Sequence, residues 1–479
     1  MCESKARGGK RCDQATRFHT AKASLQHKIS RQLREGNEEK AEVNKERLQL
    51  LIAAEEKYGP HVSVMNFPLD KPTLKLINKL NDAGLDPIIV GGSVRDLING
   101  SASKDIDIEV YGDTIDGIAK TLRKNGYQVD EVGKSFGVLK VGQKDGLDVD
   151  ISVPRRDSLV GEGHRGFEVD MDSSLGFTEA SQRRDYTINA MGYSPVYKVA
   201  IDPYNGLQDL KENRLRHVSE AFSEDPLRVL RGFQFASRFN MEMHPETVEL
   251  SQSLLSRAPE LSSERLVGEW EKFYSKGSNP AKALGVLKQT GWDKTVPHLP
   301  SYNTPAVALT AEKAVTASHK HSRDTESRVR LVSAAMASHM EKNHAADFIR
   351  ATVNGKDNQR TAIALSTKVE VNDDTQARYL ARSLSEKKTN IKEYALVRES
   401  RGEDVSGLLD RAKRLRILDS PRAALVMGRD IMEATPRKPG PWMGQLTKDA
   451  LDAQEQGVFF TKRDALKWMK KEISARGLK

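Results

Sequence analysis

The feature that most constrains the fold is an alternation of short apolar runs with helical segments between residues 87 and 153. It begins with "PIIVGG", a β-branched run ended by glycines, which predicts a buried strand that opens into a turn. A helix over residues 94–98 and the alternating strand candidate "IDIEV" come next. The helical "TIDGIAKTLRKNG" and the strand candidates "YQVDEV", "FGVLKV" and "LDVDISV" continue the pattern. Such an alternation predicts a small mixed α/β domain.

Helical spacing of apolar residues replaces this pattern after Pro203, as in "DPLRVLRGFQFASRF" and "ERLVGEWEKFY". The sequence therefore predicts the α+β class, with a small mixed-sheet head followed by an all-α neck, body and tail. Before residue 60 the chain is rich in Lys, Arg, Glu and Gln, and residues 21–57 contain no proline, so we expect charged helices there. An exposed or accessory helical extension is favoured over a dedicated RNA-binding arm, because no recognisable site lies in it.

Composition gives weak indications of the binding partner and of the cellular compartment. The 479-residue chain carries a net charge of +9, which favours a polyanionic partner, although many proteins that bind no nucleic acid are as basic. No run of about 18 apolar residues occurs and the first residues lack an apolar signal core, so we expect neither a membrane span nor a secretory signal. Cys2 and Cys12 form no C-x-x-C motif and suit a reducing, cytosolic setting.

Two pairs of acids lie on the predicted strands. Asp105 and Asp107 stand at i and i+2, so on a strand they point to the same face, and Asp148 and Asp150 are related in the same way. Carboxylates held together repel one another unless a cation lies between them, and Mg²⁺ accepts such ligands together with substrate phosphates. The alternative is a chance D-x-D on a solvated strand, so the pair alone is weak evidence.

The glycines after the first strand strengthen the case for a phosphate site. Gly91 and Gly92 fall between a strand and a helix, where backbone N–H groups can approach a phosphate closely. Arg95 lies one helical turn further on and can meet the same group as a forked donor. A lone glycine pair is usually only a turn, but G-G-x-V-R-D followed by D-x-D is far more specific. Together these residues indicate metal-dependent nucleotidyl transfer.

The stretch "GGSVRDLINGSASKDIDIEVYG" (91–112) resembles motif A of the class II tRNA nucleotidyltransferases, the CCA-adding enzymes, and of their bacterial poly(A) polymerase relatives. Further ordered matches are "RRDYTINAMGYSP" (183–195), the connector at 201–218, "EDPLRVLRGFQFASRF" (224–239), "ERLVGEWEKF" (264–273) and the tail segment at 428–459. The resemblance is loose between about 295 and 420. After the charged helical extension predicted at 1–65, it implies a catalytic head at 66–215, a nucleotide-selecting neck at 216–292 and an RNA-binding body and tail at 293–479.

Carried onto this sequence, the head motifs imply which residues bind the metal and the nucleotide. Asp105 and Asp107 would hold Mg²⁺, and Asp150 takes the place of the family's third catalytic acid, which favours it over Asp148. Contacts with the nucleotide are implied for Gly91, Gly92, Arg95, Arg184, Asp185 and Asn189. The last three belong to the motif that holds ribose and phosphates, where a 2′-OH contact would favour ribonucleotides.

Selection of CTP and ATP without a template is implied for the neck. Asp225 and Arg228 stand at i and i+3, so on a helix they share a face and offer an acceptor and donors to a base edge, and Arg231 extends that face toward the triphosphate. Considered alone, "DPLRVLR" is better explained as a helix start with an acid near its N-terminus and solvated arginines. Gln234 stands where the family often has another arginine, which weakens or rearranges one contact.

Some relatives carry a His-Asp metal phosphohydrolase domain after the neck. The segment "VRLVSAAMASHMEK" has His339-Met340 where that dyad would stand, so the metal site lacks its aspartate. His319 and His321 are expected to be an exposed loop pair. We therefore expect no phosphohydrolase activity.

The resemblance thus implies addition of CCA to the 3′ end of tRNA from CTP and ATP. A poly(A) polymerase, or an enzyme that adds only part of CCA, is the main alternative. The segment "GKSFGVLKV" (133–141) favours CCA addition, because poly(A) relatives tend to carry consecutive basic residues where this chain has Lys134-Ser135. A silent RNA-binding protein and a transferase acting on a protein or small molecule are less favoured, since D-x-D, R-R-D and E-D-x-x-R occur together with the neck and tail motifs.

Overall fold

A computed structural model describes residues 14–100, 106–142, 146–159, 167–321 and 324–478. The chain divides into two compact units: the first, here called the head unit, runs up to Gly232 and includes Asn240–Ser262. The second, the helical unit, comprises Phe233–Phe239 and the chain from Ser263 on. A mixed sheet in one unit and helices in the other confirm the predicted α+β class. No helix in the described ranges is long and apolar enough to cross a membrane.

The head unit is built on a mixed β-sheet. Its strands are β1 (Val62–Val64), β2 (Asp86–Val90), β3 (Ile106–Tyr111), β4 (Gln128–Asp130), β5 (Val138–Gly142), β6 (Asp148–Ser152), β7 (Arg155–Leu159), β8 (Phe167–Met171), β9 (Gly192–Ser194), β10 (Val199–Ile201), β11 (Arg214–Leu215) and β12 (Glu242–Met243). Eight of them form one sheet in the order β1-β10-β9-β2-β3-β6-β5-β4, in which β3 and β6 are parallel and every other neighbouring pair is antiparallel.

The helices of the head unit connect and cover these strands. They are α1 (Gln14–Arg34), α2 (Glu38–Tyr58), α3 (Lys71–Asp82), α4 (Gly92–Ile98), α5 (Ile115–Lys124), α6 (Phe177–Ser181), α7 (Gly206–Lys211), α8 (Leu227–Phe239), of which the last turns belong to the helical unit, and α9 (Pro245–Ser253). Local sequence explains their ends: the hydroxyl of Thr114, for example, accepts a hydrogen bond from the N–H of Gly117 at the start of α5.

Burial along the central strands follows the sequence pattern. Every residue of β2 is buried, as the uninterrupted apolar run predicts. On β3, Ile106 and Ile108 are buried and Asp107 between them is exposed, so the alternation places the acid on the open face of the sheet.

The N-terminal helices contribute to the core of the head unit. Leu51, Ala54 and Tyr58 on α2 pack in one apolar cluster with strand residues that include Ile88 and Val199. The hydroxyl of Tyr58 also donates to Oδ1 of Asp86 at 2.8 Å. The expectation of an exposed extension is therefore wrong for α2, because an apolar stripe at helical spacing lies within its charged sequence.

The helical unit contains the remaining helices. They are α10 (Ser263–Lys276), α11 (Pro280–Thr290), α12 (Leu299–Tyr302), α13 (Pro305–His321), α14 (Thr325–Ala337), α15 (Lys342–Thr352), α16 (Lys356–Ser366), α17 (Asp374–Ser385), α18 (Ile391–Ser400), α19 (Ser406–Leu415), α20 (Gly428–Ala434), α21 (Pro441–Glu455) and α22 (Lys462–Ala475). Aromatic packing around Trp270, whose ring centroid lies 4.7 Å from that of Phe233, joins α10 to the end of α8. The last helices, α20 to α22, share an apolar core of their own.

Candidate active site

Asp107 and Asp150 lie side by side on the parallel strands of the sheet. Asp107 on β3 is in register with Asp150 on β6, so the two side chains point to the same face. Both reach solvent, and Oδ1 of Asp150 lies 4.0 Å from Nζ of Lys140 on β5. Asp148 shares the face but is paired with Gly142 on β5. Asp105, the other predicted metal ligand, lies outside the described residues.

Gly91, directly after β2, adopts a backbone conformation that side chains rarely allow. Its φ is +70°, and a Cβ atom there would lie 3.1 Å from Nη1 of Arg184 and 3.9 Å from Oδ2 of Asp107. Glycine therefore lets Arg184 and Asp107 approach the same turn. The hydroxyl of Ser93, in the first turn of α4, accepts a hydrogen bond from the N–H of Asp107 at 3.2 Å, which ties α4 to β3.

A buried polar network runs from α4 to α8. Arg95, only 4% exposed, donates from Nη1 to Oδ1 of Asn189 at 2.5 Å and from Nη2 to Oδ1 of Asp96 at 2.8 Å. Asn189 in turn donates to Oδ1 of Asp185 at 3.0 Å, and Nε of Arg231 donates to Oδ2 of Asp185 at 2.7 Å. The structure thus brings together Arg95, Asn189, Asp185 and Arg231, which the sequence predicts as nucleotide-binding residues.

The charge of Asp185 follows from this network. Burial by itself raises the pKa of the carboxyl group, but the charge of Arg231 and hydrogen bonds from Asn189, Arg231 and the N–H of Tyr186 outweigh it. The pKa of Asp185 therefore lies below its usual value. Asp185 is an ionised acceptor at neutral pH and fixes the position of Arg231.

Arg183 and Arg184 of the R-R-D motif lie beside a buried acid, Glu109, on the strand that carries Asp107. Glu109 lies two residues beyond Asp107 on β3 and is 0% exposed. Its carboxylate oxygens lie 3.2 Å from Nη2 of Arg183 and 3.8 Å from Nη2 of Arg184, and accept a hydrogen bond from the hydroxyl of Tyr111 at 2.6 Å. Arg184 therefore lies between this acid and the Gly91 turn.

The predicted base-selecting pair differs from the sequence expectation in one respect. Helix α8 begins at Leu227, and Asp225 lies ahead of it in extended backbone, where its Oδ1 accepts a hydrogen bond from the N–H of Leu227 at 3.1 Å. The expectation that Asp225 and Arg228 share a helix face is therefore wrong, because Pro226 disfavours a helical conformation in the residue before it. Nη1 of Arg228 donates to the carbonyl of Ala221 at 2.6 Å.

Sequence reasoning missed Ser93, Asp96, Glu109 and Lys140. Ser93 and Asp96 lie within the G-G-x-V-R-D motif, and Glu109 continues the same-face alternation of Asp107, so a signal for each was present. Lys140 is brought beside Asp150 only by the pairing of β5 with β6, which the sequence does not specify.

Further side-chain positions from the sequence motifs lie in the helical unit. Gln234 is 3% exposed, and its Oε1 accepts no hydrogen bond within the described part of the chain. His319 and His321 belong to the last turn of α13 instead of forming a loop pair, because neither glycine nor proline occurs between Pro305 and His321. The ring of His339 is hydrogen-bonded through Nε2 to the hydroxyl of Thr310 at 2.8 Å.

Comparison with known proteins identifies the head. Residues 88–216 match the family model of the poly A polymerase head domain, a range that contains Gly91, Asp107, Asp150 and the R-R-D motif. The resemblance to the CCA-adding and poly(A) polymerase family is confirmed. The multifunctional CCA protein of Nitrosococcus oceani is 36% identical over 209 residues, which make up 43% of this chain and 49% of that protein. This chain thus spans about half the length of the curated relatives it matches.

Solved structures of CCA-adding enzymes share the fold over a longer range. The Bacillus stearothermophilus CCA-adding enzyme in complex with CTP has a TM-score of 0.64 at 23% identity and covers 85% of this chain and 99% of its own. The Thermotoga maritima CCA-adding enzyme complexed with tRNA has a TM-score of 0.57 at 19% identity, with coverage of 85% and 96%. At these identities the likeness shows the fold alone.

Proposed function

We propose that the chain adds CCA to the 3′ end of tRNA from CTP and ATP, without a template and with release of pyrophosphate. The observation that carries this proposal is the register of Asp107 with Asp150 beside the Gly91 turn and the guanidinium of Arg184. Ligands for a cation and donors for a triphosphate on one open face are what in-line transfer at phosphorus requires. The names of the relatives supply the acceptor, and the two cysteines suggest the cytosol as its location.

The described carboxylates fit Mg²⁺. Asp107 and Asp150 present oxygen ligands on neighbouring strands, and both reach solvent, which suits an ion that keeps waters and binds substrate phosphates. Asp105 lies outside the described residues, and we propose it as a further ligand because the D-x-D motif and the family resemblance place it with Asp107. When bound there, Mg²⁺ would neutralise charge on the phosphates and promote ionisation of the attacking hydroxyl.

The other residues of the site position the nucleotide. Arg184 beside Gly91 and Arg231, which is 36% exposed, present positive charge to the triphosphate. Asp185 and Asn189 are buried and hydrogen-bonded inside the network, so their first role is to hold Arg231 and Arg95 in place. With the phosphates fixed, the 3′-hydroxyl of the RNA attacks the α-phosphorus and pyrophosphate leaves, and positioning and electrostatics supply most of the rate.

Base choice is assigned to Arg228 and Asp225. The guanidinium of Arg228 is held at Nη1 by the carbonyl of Ala221, and within the described residues its other nitrogens make no hydrogen bond. They are donors for a base edge whose direction is fixed by the first contact. Asp225 supplies a carboxylate just ahead of the same helix, so a single site can match the acceptor and donor patterns of both cytosine and adenine.

A poly(A) polymerase is the second candidate, because the family model that matches the head bears that name. The position that tends to be doubly basic in those enzymes is Lys134-Ser135 here. Lys134 is paired with Asp116 and Glu131 and is thereby directed to the head itself. The residue next to it is Ser135, so the doubly basic pattern is absent at this position, which favours CCA addition.

The experiment is a nucleotide-addition assay with magnesium. The protein is incubated with tRNA that lacks its 3′ CCA and with tRNA that ends in C-C, and CTP and ATP are supplied singly and together. The proposal expects two C residues from CTP alone on the first RNA, one A from ATP on the second, and arrest at CCA with both. Long A tails would establish the second candidate, and no incorporation into either RNA would refute both.

A further inference from the structure

The buried acid Glu109 has no role in the site as described so far. It lies on β3 on the same face as Asp107, two residues further along the strand, and none of it is exposed. A carboxylate is costly to bury unless it is paired and hydrogen-bonded, so its partners indicate why it is there.

The partners of Glu109 are two arginines and a tyrosine. One carboxylate faces the guanidinium groups of Arg183, at 3.2 Å, and of Arg184, at 3.8 Å. The hydroxyl of Tyr111 donates to the same carboxylate. Burial raises the pKa of Tyr111, and the charge and hydrogen bond of Glu109 raise it further, so Tyr111 stays a neutral donor and Glu109 the acceptor.

The geometry connects this acid to the glycine turn. Nη1 of Arg184 lies 3.1 Å from the position of a Cβ atom on Gly91, and Oδ2 of Asp107 lies 3.9 Å from the same point. Nη2 of Arg184 faces Glu109. The guanidinium therefore spans from a buried anchor to the turn beside the metal-binding acid, with Nε unbonded within the described residues.

We propose that Glu109 is a positioning residue for the triphosphate, which acts by holding the guanidinium of Arg184 against the Gly91 turn. The inference rests on the proposed nucleotidyl transfer, since the triphosphate is that of the incoming nucleotide. Because Arg184 faces the phosphate side of the site, Glu109 affects CTP and ATP alike and leaves base choice unchanged.

The test compares wild type with Glu109→Gln, which keeps the shape of the side chain and removes its charge. The KM for CTP and for ATP should rise by roughly tenfold each, the scale of losing one ion pair at the distance that separates Glu109 from Arg184, with kcat much less affected. The matched control is Glu131→Gln, which removes another acid paired with two cations, Arg123 and Lys134, on the surface of the head. It should leave both constants unchanged.

A double-mutant cycle with Arg184→Lys separates positioning from a general loss of structure. If Glu109 acts through Arg184, adding Glu109→Gln to Arg184→Lys should produce little further rise in KM. An equal rise in both backgrounds, or a change in kcat alone, would overturn the inference. Should Glu109→Gln fail to fold, Glu109→Asp, which retracts the charge by one methylene, is expected to raise KM in the same direction.

Equilibrium binding distinguishes this inference from the proposed function. Titration of wild type and Glu109→Gln with a non-reacting CTP analogue should show the same roughly tenfold loss of affinity. Equal affinity of the two proteins would refute the role of Glu109 even where wild type adds nucleotides to tRNA. Weaker binding by the variant would support it, and absence of nucleotide addition by wild type would then refute only the proposed reaction.

Discussion

Replacement of Gly91 by alanine tests the glycine turn at the centre of the candidate site. The φ of +70° imposes strain on any residue with a side chain, which costs on the order of 1–3 kcal/mol of stability. The new Cβ atom would also lie 3.1 Å from Nη1 of Arg184, closer than ordinary contact, so that guanidinium must move away from the turn. A displacement of about 1 Å in a positioning group can cost roughly 100-fold in rate.

Gly84→Ala is the matched control, since Gly84 has a φ of +81° but nothing within 4 Å of an added Cβ atom. Urea unfolding and steady-state nucleotide addition are measured for both variants. Both should lose stability, and Gly91→Ala alone should lose activity, chiefly through a higher KM for CTP and ATP. If the two variants keep equal activity at equal stability loss, the Gly91 turn does not position the nucleotide.

Three further predictions concern the acids and the base-reading helix. Asp150→Asn should lower the rate of nucleotide addition by at least about 100-fold. Asp148 is not in register with Asp107, so Asp148→Asn should retain most of the wild-type rate. A larger loss in Asp148→Asn than in Asp150→Asn would exclude Asp150 as the third acid. Asp185→Asn should lower the free energy of unfolding by about 2 kcal/mol at neutral pH. This loss is smaller than for a fully buried ion pair, because the side chain of Arg231 is 36% exposed. The folded-state pKa of Asp185 is lowered, so its contribution to the free energy of unfolding is complete above about pH 4 and is lost as the pH falls further. The free energies of unfolding of variant and wild type should therefore converge in acid. A difference that stays constant with pH would contradict the ion pair. Arg228→Ala should reduce discrimination between CTP and ATP by roughly tenfold with little change in magnesium dependence, and unchanged selectivity would refute its role.

The sheet and its acids could be predicted from sequence because their signals are local. The apolar run at β2 and the alternation around Asp107 specify burial and face residue by residue. The choice of Asp150 over Asp148 rested on the family resemblance, and the pairing with Asp107 supports it through a register that no local pattern contains.

Features that depend on packing between distant segments could not be predicted in this way. The burial of α2 was missed because charged residues surround Leu51, Ala54 and Tyr58, although their spacing is helical. Glu109 lies on the same face of β3 as the exposed Asp107, so the alternation does not indicate that it is buried. Its burial follows from the approach of the R-R-D motif, which is distant in sequence. The position of Asp225 ahead of α8, in contrast, had a local signal in Pro226.

Label transfer tests whether the site around the acids paired across β3 and β6 transfers a nucleotide to RNA. Wild type and Asp107→Asn are incubated with magnesium, tRNA that lacks CCA and CTP labelled at the α- or the γ-phosphate. Wild type should place the α label on the 3′ end and release the γ label as pyrophosphate, and Asp107→Asn should be at least about 100-fold slower. Transfer of the γ label to the RNA, or an unchanged rate in the variant, would show that these acids do not support nucleotidyl transfer.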